Sequence, residues 1–362
     1  MKKRVILNLY RFLVSIFFKC LYGSIKKRLS LKEKKLIKIN KIILDYKNYY
    51  IYKIYNGRIF NTTIYDCAYI LNNKIIEGPS YQFRPVNSVS PLKNFVISYG
   101  TPNFLKRVDN NIFSILSGGA PKTNYWHWLF DSLPRFGLIE RIYNYKNFSN
   151  YLVPSLKYPF QIDTLKYLGI DISRCLGSDN HKHIYSNTVF ATTHPYVFKD
   201  ATYNIRNIPK WIIYWLKKKY LHLIIENKSF PKKIYIDRSD SVFSKSQIRI
   251  IENEEDIKKV LKKKGFKNVI LSKLTFKDQI NIFYNSKIII GLHGSGFANL
   301  VFCKKKTSVI EFRNQKSNNA IENLALNCNL NYSSLEHSGK KKIFLAMQGN
   351  ILIDTRKLEE ML

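Results

Sequence analysis

The sequence predicts an α/β protein whose C-terminal part is a parallel, doubly wound sheet. Two observations carry that prediction. Short apolar runs alternate with helical patterns from residue 232 through about 100 residues, the order of successive strand–helix–strand units. One of these runs ends in Gly291-Leu292-His293-Gly294-Ser295-Gly296, a loop that leaves a strand and opens a helix.

Each element has local reasons. Residues 233–237 are an apolar strand, followed by a polar loop to Ile251. Asn253 stands at the cap of a helix with Glu254, Glu255 and Asp256 in its first turn, Lys262, Lys263 and Lys264 in its last, and Gly265 beyond. Acid at the start and base at the end complement the helix dipole. Residues 269–271 are the next strand, and Thr275 with Asp278 makes a capping-box-like start for a helix ending near Ser286. Strands at 287–290, 308–312 and 332–335 follow, with helices at 297–302 and 319–327 between them.

Upstream the pattern is looser. Residues 49–55, Cys67–Leu71 and Phe95–Tyr99 are apolar runs that read as short strands, punctuated by turns at Asn56-Gly57, Gly78-Pro79 and Gly118-Gly119. A helix begins near Asn124 and carries residues 126–143. Residues 210–225 form an amphipathic helix with Lys217, Lys218 and Lys219, and residues 227–231 are the turn that ends the first large domain. The expected division is a basic amphipathic segment at 1–40, an N-terminal domain at 45–228, a C-terminal domain at 232–340 and a tail at 341–362.

Composition excludes several classes. A chain of 362 residues with 45% hydrophobic and 14% aromatic content is too apolar for disorder and long enough for about two domains. Fifteen glycines exclude a collagen-like chain. No run of about 18 uncharged apolar residues is present, against a polytopic membrane protein. Five cysteines, none close in sequence, fit neither a zinc site nor a disulfide framework, and a reducing compartment is the simplest setting.

The net charge is +35, from 60 Lys+Arg against 25 Asp+Glu. One reading is a genome-wide bias toward Lys, Ile and Asn, the other a functional basic surface. The excess has a location: residues 1–60 hold 16 Lys+Arg and 2 Asp+Glu, a net +14. Within residues 5–22, Arg11 and Lys19 are costly at a bilayer centre. On a helical wheel Arg11, Ser15, Lys19, Tyr22 and Lys26 all fall within about 60° of Asn8, with apolar residues around the rest. That pattern fits a helix lying in the plane of an anionic membrane, followed by basic residues including Lys26, Lys27, Arg28 and Lys32. The alternative is a helix packed on the protein or on a partner.

Two constellations carry chemistry. The first is the glycine loop with Asn299 behind it. At the carboxyl end of a strand its backbone can approach a diphosphate, and N–H groups at the helix start can bind it, with Ser295 and His293 adding hydrogen bonds. It matches neither the dinucleotide fingerprint nor the P-loop, and a tight strand–helix turn is the competing reading. Glu311 ends the following strand, placed for ribose hydroxyls or for solvent. Arg238 and Arg249 flank the loop before the Asn253 helix. Only 14 of the 60 basic residues are arginine, so arginine positions are the more selective choice for bidentate phosphate contacts.

The second constellation is Asn124-Tyr125-Trp126-His127-Trp128-Leu129-Phe130-Asp131, continuing to Pro134-Arg135. His127, Asp131 and Arg135 share a helix face at i, i+4 and i+8. A histidine beside a carboxylate suits a general base acting on a hydroxyl. A purely structural polar pair is the alternative. No third ligand lies near in sequence, so a metal site is not indicated.

The stretches HWLFDSLPRF, Arg249-Ile-Ile-Glu-Asn253-Glu254, GLHGSGFANLVF and VIEF together resemble glycosyltransferase family 61, over about residues 120–335. The resemblance implies a GT-B-like fold: two Rossmann-like domains facing a central cleft, with the nucleotide-sugar donor on the C-terminal one. It implies inversion at the anomeric carbon with no cofactor and no obligatory metal. It places catalysis on Asp131 and His127, with Asp131 slightly favoured as base. It carries the family's substrate-binding loop over onto His293, Gly294, Ser295 and Gly296 and its strand-end acid onto Glu311; the residues themselves add Arg135, Arg238, Arg249 and Asn299 as expected substrate contacts. Bacterial members of the family are capsular polysaccharide biosynthesis proteins.

The expected function is therefore an inverting glycosyltransferase of surface polysaccharide. Its partners are a nucleotide-sugar donor, a glycan or lipid-linked glycan acceptor and an anionic membrane surface. Its expected place is the cytoplasmic face of the plasma membrane, with a type II membrane anchor as the alternative. A nucleic-acid binder is disfavoured because no RNA- or DNA-binding module is present. A non-catalytic glycan binder on the same fold is the remaining rival.

Overall fold

The computed structural model describes residues 2–27 (2–8 as backbone), 29–62, 67–80, 93–116, 123–196, 207–239, 249–337 and 350–362. It is a mixed α/β structure of two compact units, Met1–Ile205 and Arg206–Leu362. The helix Lys210–Tyr220 packs on the glycine-loop helix of the second unit, so it begins that unit and does not close the first. The expected boundary near residue 228 moves accordingly. Gly118-Gly119, Arg28 and residues 341–349 of the expected tail lie outside the described residues.

The second unit holds a five-stranded sheet in the order β10-β9-β11-β12-β13, every pair parallel. Its strands are β9 (Lys233–Ile236), β10 (Lys267–Val269), β11 (Ile288–Leu292), β12 (Ser308–Arg313) and β13 (Asn331–Glu336). The helices expected between them are present: Glu254–Lys263, Phe276–Asn285 and Ala320–Asn327. Thr275 caps the second of these, its Oγ1 accepting from the Asp278 N–H at 3.1 Å. Asn253 makes no side-chain cap to its helix. Its amide instead clasps the backbone of Ile353, donating to the carbonyl at 2.8 Å and accepting from the N–H at 3.1 Å.

That clasp changes the meaning of the C-terminus. Ile351 bridges to Ile251, and Ile351, Ile353 and Leu358 are buried in the same core as Tyr235, Ile290 and Phe312. Residues 350–362 are part of the second unit's core, not a tail. Leu358→Ala is expected to lower the stability of this unit by about 2–5 kcal/mol, as cavity formation does. Urea denaturation measures it, and a loss within about 0.5 kcal/mol, the surface range, would contradict the packing.

The first unit departs from a Rossmann-like plan. Its strands are β1 (Ile37–Leu44), β2 (Lys47–Asn61), β3 (Cys67–Leu71), β4 (Lys74–Ile75), β5 (Lys106–Ser114), β6 (Asn150–Val153), β7 (Cys175–Gly177) and β8 (His183–Thr192). They form one sheet in the order β4-β3-β2-β8-β5-β6-β7, with β1 also on β2. Pairs from β8 through β5 and β6 to β7 are parallel, whereas those among β1, β2, β3, β4 and β8 are antiparallel.

Two expectations are corrected here. Asn56-Gly57 is not a turn: β2 runs through it, Asn56 taking φ 52°, while a Cβ on Gly57 would come within 3.1 Å of Val189 Cγ2. Phe95–Tyr99 is a helix. Asn94 accepts from the Val96 N–H at 3.2 Å to start it, and Gly100 ends it at φ 68°. In a run of only five residues these caps outweigh aromatic strand propensity.

Candidate functional site

The second unit builds its site where chain order reverses in the sheet. β10 lies outside β9 and β12 beyond β11, so the crevice past the carboxyl ends of β9 and β11 is a topological switch point, where open α/β sheets bind ligands. Arg238 follows β9 and His293 follows β11. The Arg238 turn is fixed by Asp237, which accepts from the Ser239 N–H at 2.8 Å and pairs with Lys258 at 3.2 Å.

Arg238 and Arg249 both donate through Nη1 to the His293 carbonyl, at 2.9 Å and 2.6 Å. A Cβ on Gly294 would lie 3.0 Å from Arg238 Nη1, so the bare glycine is what lets this guanidinium cross the loop. Burial, and then repulsion from Arg238, pushes Arg249 down to about 10, with Glu311 pulling the other way. Arg249 Nε is buried with no hydrogen-bond partner among the described residues.

Glu311 does not hold those arginines. It is wholly buried, accepting from His293 Nδ1 on one oxygen and from the Tyr332 hydroxyl at 2.6 Å on the other. The carboxylate orients the histidine from a fully buried position, which does not present it to solvent as the expected ribose contact requires. Burial pushes His293 below its ordinary value, and Arg249 and Arg313 add to that, although Glu311 opposes it. Two close guanidiniums and an oriented imidazole, with Glu311 bonded to His293 and Tyr332 and Asp237 to Ser239 and Lys258, make a site short of free negative charge among the described residues.

Ser295 and Gly296 start the 3-10 helix Ser295–Phe302 and are partly exposed. The first N–H groups of a helix have no intrahelical acceptor and suit an anion. Asn299 is elsewhere in function. It is wholly buried and donates to Gln279 Oε1 at 2.9 Å, while Gln279 donates to the Leu271 carbonyl at 2.9 Å. Asn299 ties the glycine-loop helix to Phe276–Asn285 through Gln279.

The first unit carries a second histidine–carboxylate pair on an irregular helix. Tyr125–His127 is α-helical, Trp128–Ser132 widens to a π turn, and Pro134–Ile139 resumes. Pro134 supplies the reason: it has no N–H for the Phe130 carbonyl, and its ring crowds that group. Asn124 starts the segment, accepting from the Trp126 N–H at 2.9 Å.

His127 Nδ1 donates to Asp131 Oδ2 at 2.7 Å, and the Tyr196 hydroxyl donates to Oδ1. His194 Nε2 lies 4.0 Å from Oδ2. Burial alone would raise the Asp131 carboxyl, but His127, His194 and the Tyr196 hydroxyl together hold it below its ordinary value. Asp131 is therefore ionised and His127 carries its proton on Nδ1, leaving Nε2 as the basic nitrogen. The Asp131 side chain is fully sealed, whereas that of His127 is 12% exposed.

Arg135 is buried and donates to the Asp131 carbonyl at 3.1 Å and the Thr192 carbonyl at 3.0 Å. It ties the helix to β8, a structural task and not the substrate contact expected of it. Tyr196, His194, Tyr332 and Arg313 complete the two clusters and were not marked by the sequence. With 25 tyrosines in the chain, no spacing singles out these two. Among the described residues no group of three or more His, Cys, Asp or Glu side chains could hold a metal ion.

The family model for glycosyltransferase 61 matches residues 125–310, more than half of the 362 residues. The chain belongs to glycosyltransferase family 61. It is a glycosyltransferase, taking a sugar donor and a glycan acceptor in the general sense of that family. The matched span begins at the helix that carries His127 and Asp131 and takes in Arg238, Arg249 and the His293 loop. No curated protein matches the chain.

Buried histidines give this enzyme a pH signature. Burial pushes His194 down to about 3 and His183 down to about 4, against the pull of Asp131 on the one and a hydrogen bond to the Asn103 carbonyl on the other. Both stay neutral when folded, while the unfolded chain takes up their protons below about pH 6.5. Their stability is complete above that pH and is lost as pH falls toward 4, at about 1.4 kcal/mol per pH unit for each histidine. Urea midpoints across this range measure it. His194→Gln should remove one of the two slopes, and a parent protein with flat stability between about pH 7 and 5 would contradict the assignment.

Proposed function

We propose that this glycosyltransferase is an inverting enzyme of GT-B-like organisation, with a mixed sheet in its first unit in place of a second Rossmann-like domain, acting in the synthesis of a surface polysaccharide. The nucleotide-sugar donor binds at the switch point of the second unit. The observation that carries this reading is the Arg238–Arg249 pair gathered on the His293 carbonyl, Arg249 with a buried Nε that has no hydrogen-bond partner among the described residues. A diphosphate is the ligand with the charge and the acceptor oxygens to satisfy it.

The first unit supplies the base. His127 Nε2 takes the proton of an acceptor hydroxyl while Asp131 holds the ring and stabilises the imidazolium. The hydroxyl oxygen attacks C1 of the donor sugar, and the bond from C1 to the diphosphate oxygen breaks on the opposite face. The released charge falls on the diphosphate beside Arg238, Arg249 and the helix N–H groups, preorganised donors of the kind that lower such barriers. A single displacement inverts the anomeric centre and leaves charge neutralisation to arginine, with no obligatory metal. Asp131 is the weaker candidate for base because its side chain is closed off from solvent while that of His127 is not.

Thermal unfolding with a panel of nucleotide sugars tests the donor. The right donor at about 100 times its dissociation constant adds about 2.7 kcal/mol of stability. NMR of the product then reads the anomeric configuration. Retention of configuration, or no stabilisation by any nucleotide sugar, would overturn the proposal.

A further inference from the structure

The N-terminal helix Lys2–Tyr22 sits on the first unit by its polar stripe. Ser15 Oγ donates to the Tyr99 carbonyl at 3.0 Å and Lys19 Nζ to the Ser98 carbonyl at 2.7 Å. The Tyr22 hydroxyl accepts from the Leu105 N–H at 3.0 Å. Phe18 anchors the same side, edge-on to Phe104 with ring centres 5.2 Å apart. Gly100 makes room for the dock: a Cβ there would lie 3.0 Å from Lys19 Cγ. The stripe expected to face water is thus the face used by the protein.

The opposite face is apolar and open. Leu9, Phe12, Leu13, Ile16, Phe17 and Leu21 are 44–59% exposed. At about 100° per residue they span about half the helix circumference, and neither Arg11 nor Lys19 falls among them. Water-soluble proteins turn such a face inward.

We propose that this face seats in the boundary between headgroups and acyl chains of an anionic bilayer leaflet, with the helix lying in the membrane plane. Charge complementarity selects that occupant over a second copy of the chain. The first 60 residues carry 16 Lys+Arg against 2 Asp+Glu, a charge that repels its own copy and attracts anionic lipid. Lys26 and Lys27 just beyond the helix, and Lys32, Lys34 and Lys35 after them, are all exposed. No helix among the described residues is long and apolar enough to cross a membrane, so the contact is a seating and not a span. The docked stripe fixes the helix on the enzyme, and the membrane then positions the whole first unit. This inference is independent of the donor and base assignments.

Cys20 provides the probe, because it lies on the helix and is the one exposed cysteine, the other four being buried. An environment-sensitive fluorophore on Cys20 of the full chain should shift to the blue with vesicles of phosphatidylglycerol and phosphatidylcholine. Lipids carrying quenchers in the acyl chain should quench it. Co-sedimentation should be strong with these vesicles and much weaker with phosphatidylcholine alone. Leu13→Glu with Phe17→Glu should lower partitioning by about a hundredfold or more, since two large apolar side chains lose their burial. Lys26→Glu with Lys27→Glu should lower it by about fivefold per site. Both double variants change exposed residues only, so an unchanged thermal midpoint serves as the check on folding. Equal binding to neutral vesicles would overturn the anionic preference. A protein that ignores vesicles but self-associates through Leu13 and Phe17 would overturn the proposal in favour of a dimer.

Discussion

Alanine at position 127 should lower turnover by about 10²–10⁴, the usual cost of removing a general base, while the dissociation constant of the nucleotide sugar stays as in the parent. The two effects separate because His127 belongs to the first unit and the arginine cluster to the second. Added imidazole should restore part of the lost rate, since the cavity keeps its buried anion. Asp131→Asn should cost less. The amide can still offer its oxygen to His127 Nδ1–H and its NH2 to the Tyr196 oxygen, so the ring stays oriented. What goes is the charge that stabilises the imidazolium. Single-turnover kinetics and calorimetry measure the two quantities. A larger loss in Asp131→Asn than in His127→Ala would return the role of base to the carboxylate. Near-parent turnover in both would make this face structural.

The two halves of the molecule were unequally legible, for physical reasons. In the second unit Glu254–Lys263 announces itself by acid at its start and base at its end, and Phe276–Asn285 by the Thr275–Asp278 cap, each with short apolar runs on either side. Periodicity and caps therefore agree, and the parallel sheet follows. In the first unit the runs are short and aromatic. Phe95–Tyr99 has the composition of a strand, and only Asn94 and Gly100 outside it decide for helix. Residues 56–57 have the composition of a hairpin turn, yet both flanks belong to one strand because β8 pairs with both. The site was legible in kind but not in role. Glycines, arginines and histidines at strand ends were visible in the sequence. What Glu311 does was not, because the groups that consume its oxygens come from the end of β11 and from Tyr332 on β13, strands brought beside β12 only by the fold. Asn299 and Arg135 were overread for the same reason: a polar residue beside a site looks functional until its buried partner is seen. Asn253, placed as a cap, is turned away from its helix by a strand-like segment 100 residues later.

Arg249→Ala should weaken nucleotide-sugar binding by about 10- to 150-fold, the worth of one hydrogen bond to a charged group, without destabilising the free enzyme. The second half of that statement decides the first. Arg249 is held with a buried Nε that has no partner among the described residues, beside a like charge, and with its guanidinium pushed down to about 10. Its bond to the His293 carbonyl is duplicated by Arg238. Removing it from the free enzyme relieves desolvation and repulsion, so the unfolding free energy should hold or rise. A residue kept at such a cost is kept for a ligand. Arg249→Lys should recover charge but not the forked geometry, and so should bind between alanine and the parent. The loss should follow the phosphates: a nucleoside diphosphate weakens as much as the nucleotide sugar, and the bare nucleoside hardly at all. Gly294→Val should act on the same contacts from the other side, its Cβ meeting the Arg238 guanidinium at 3.0 Å and displacing it from the loop. If Arg249→Ala instead unfolds more readily and binds the nucleotide sugar as the parent does, the guanidinium pair is a brace for the glycine loop, and the donor phosphates lie elsewhere.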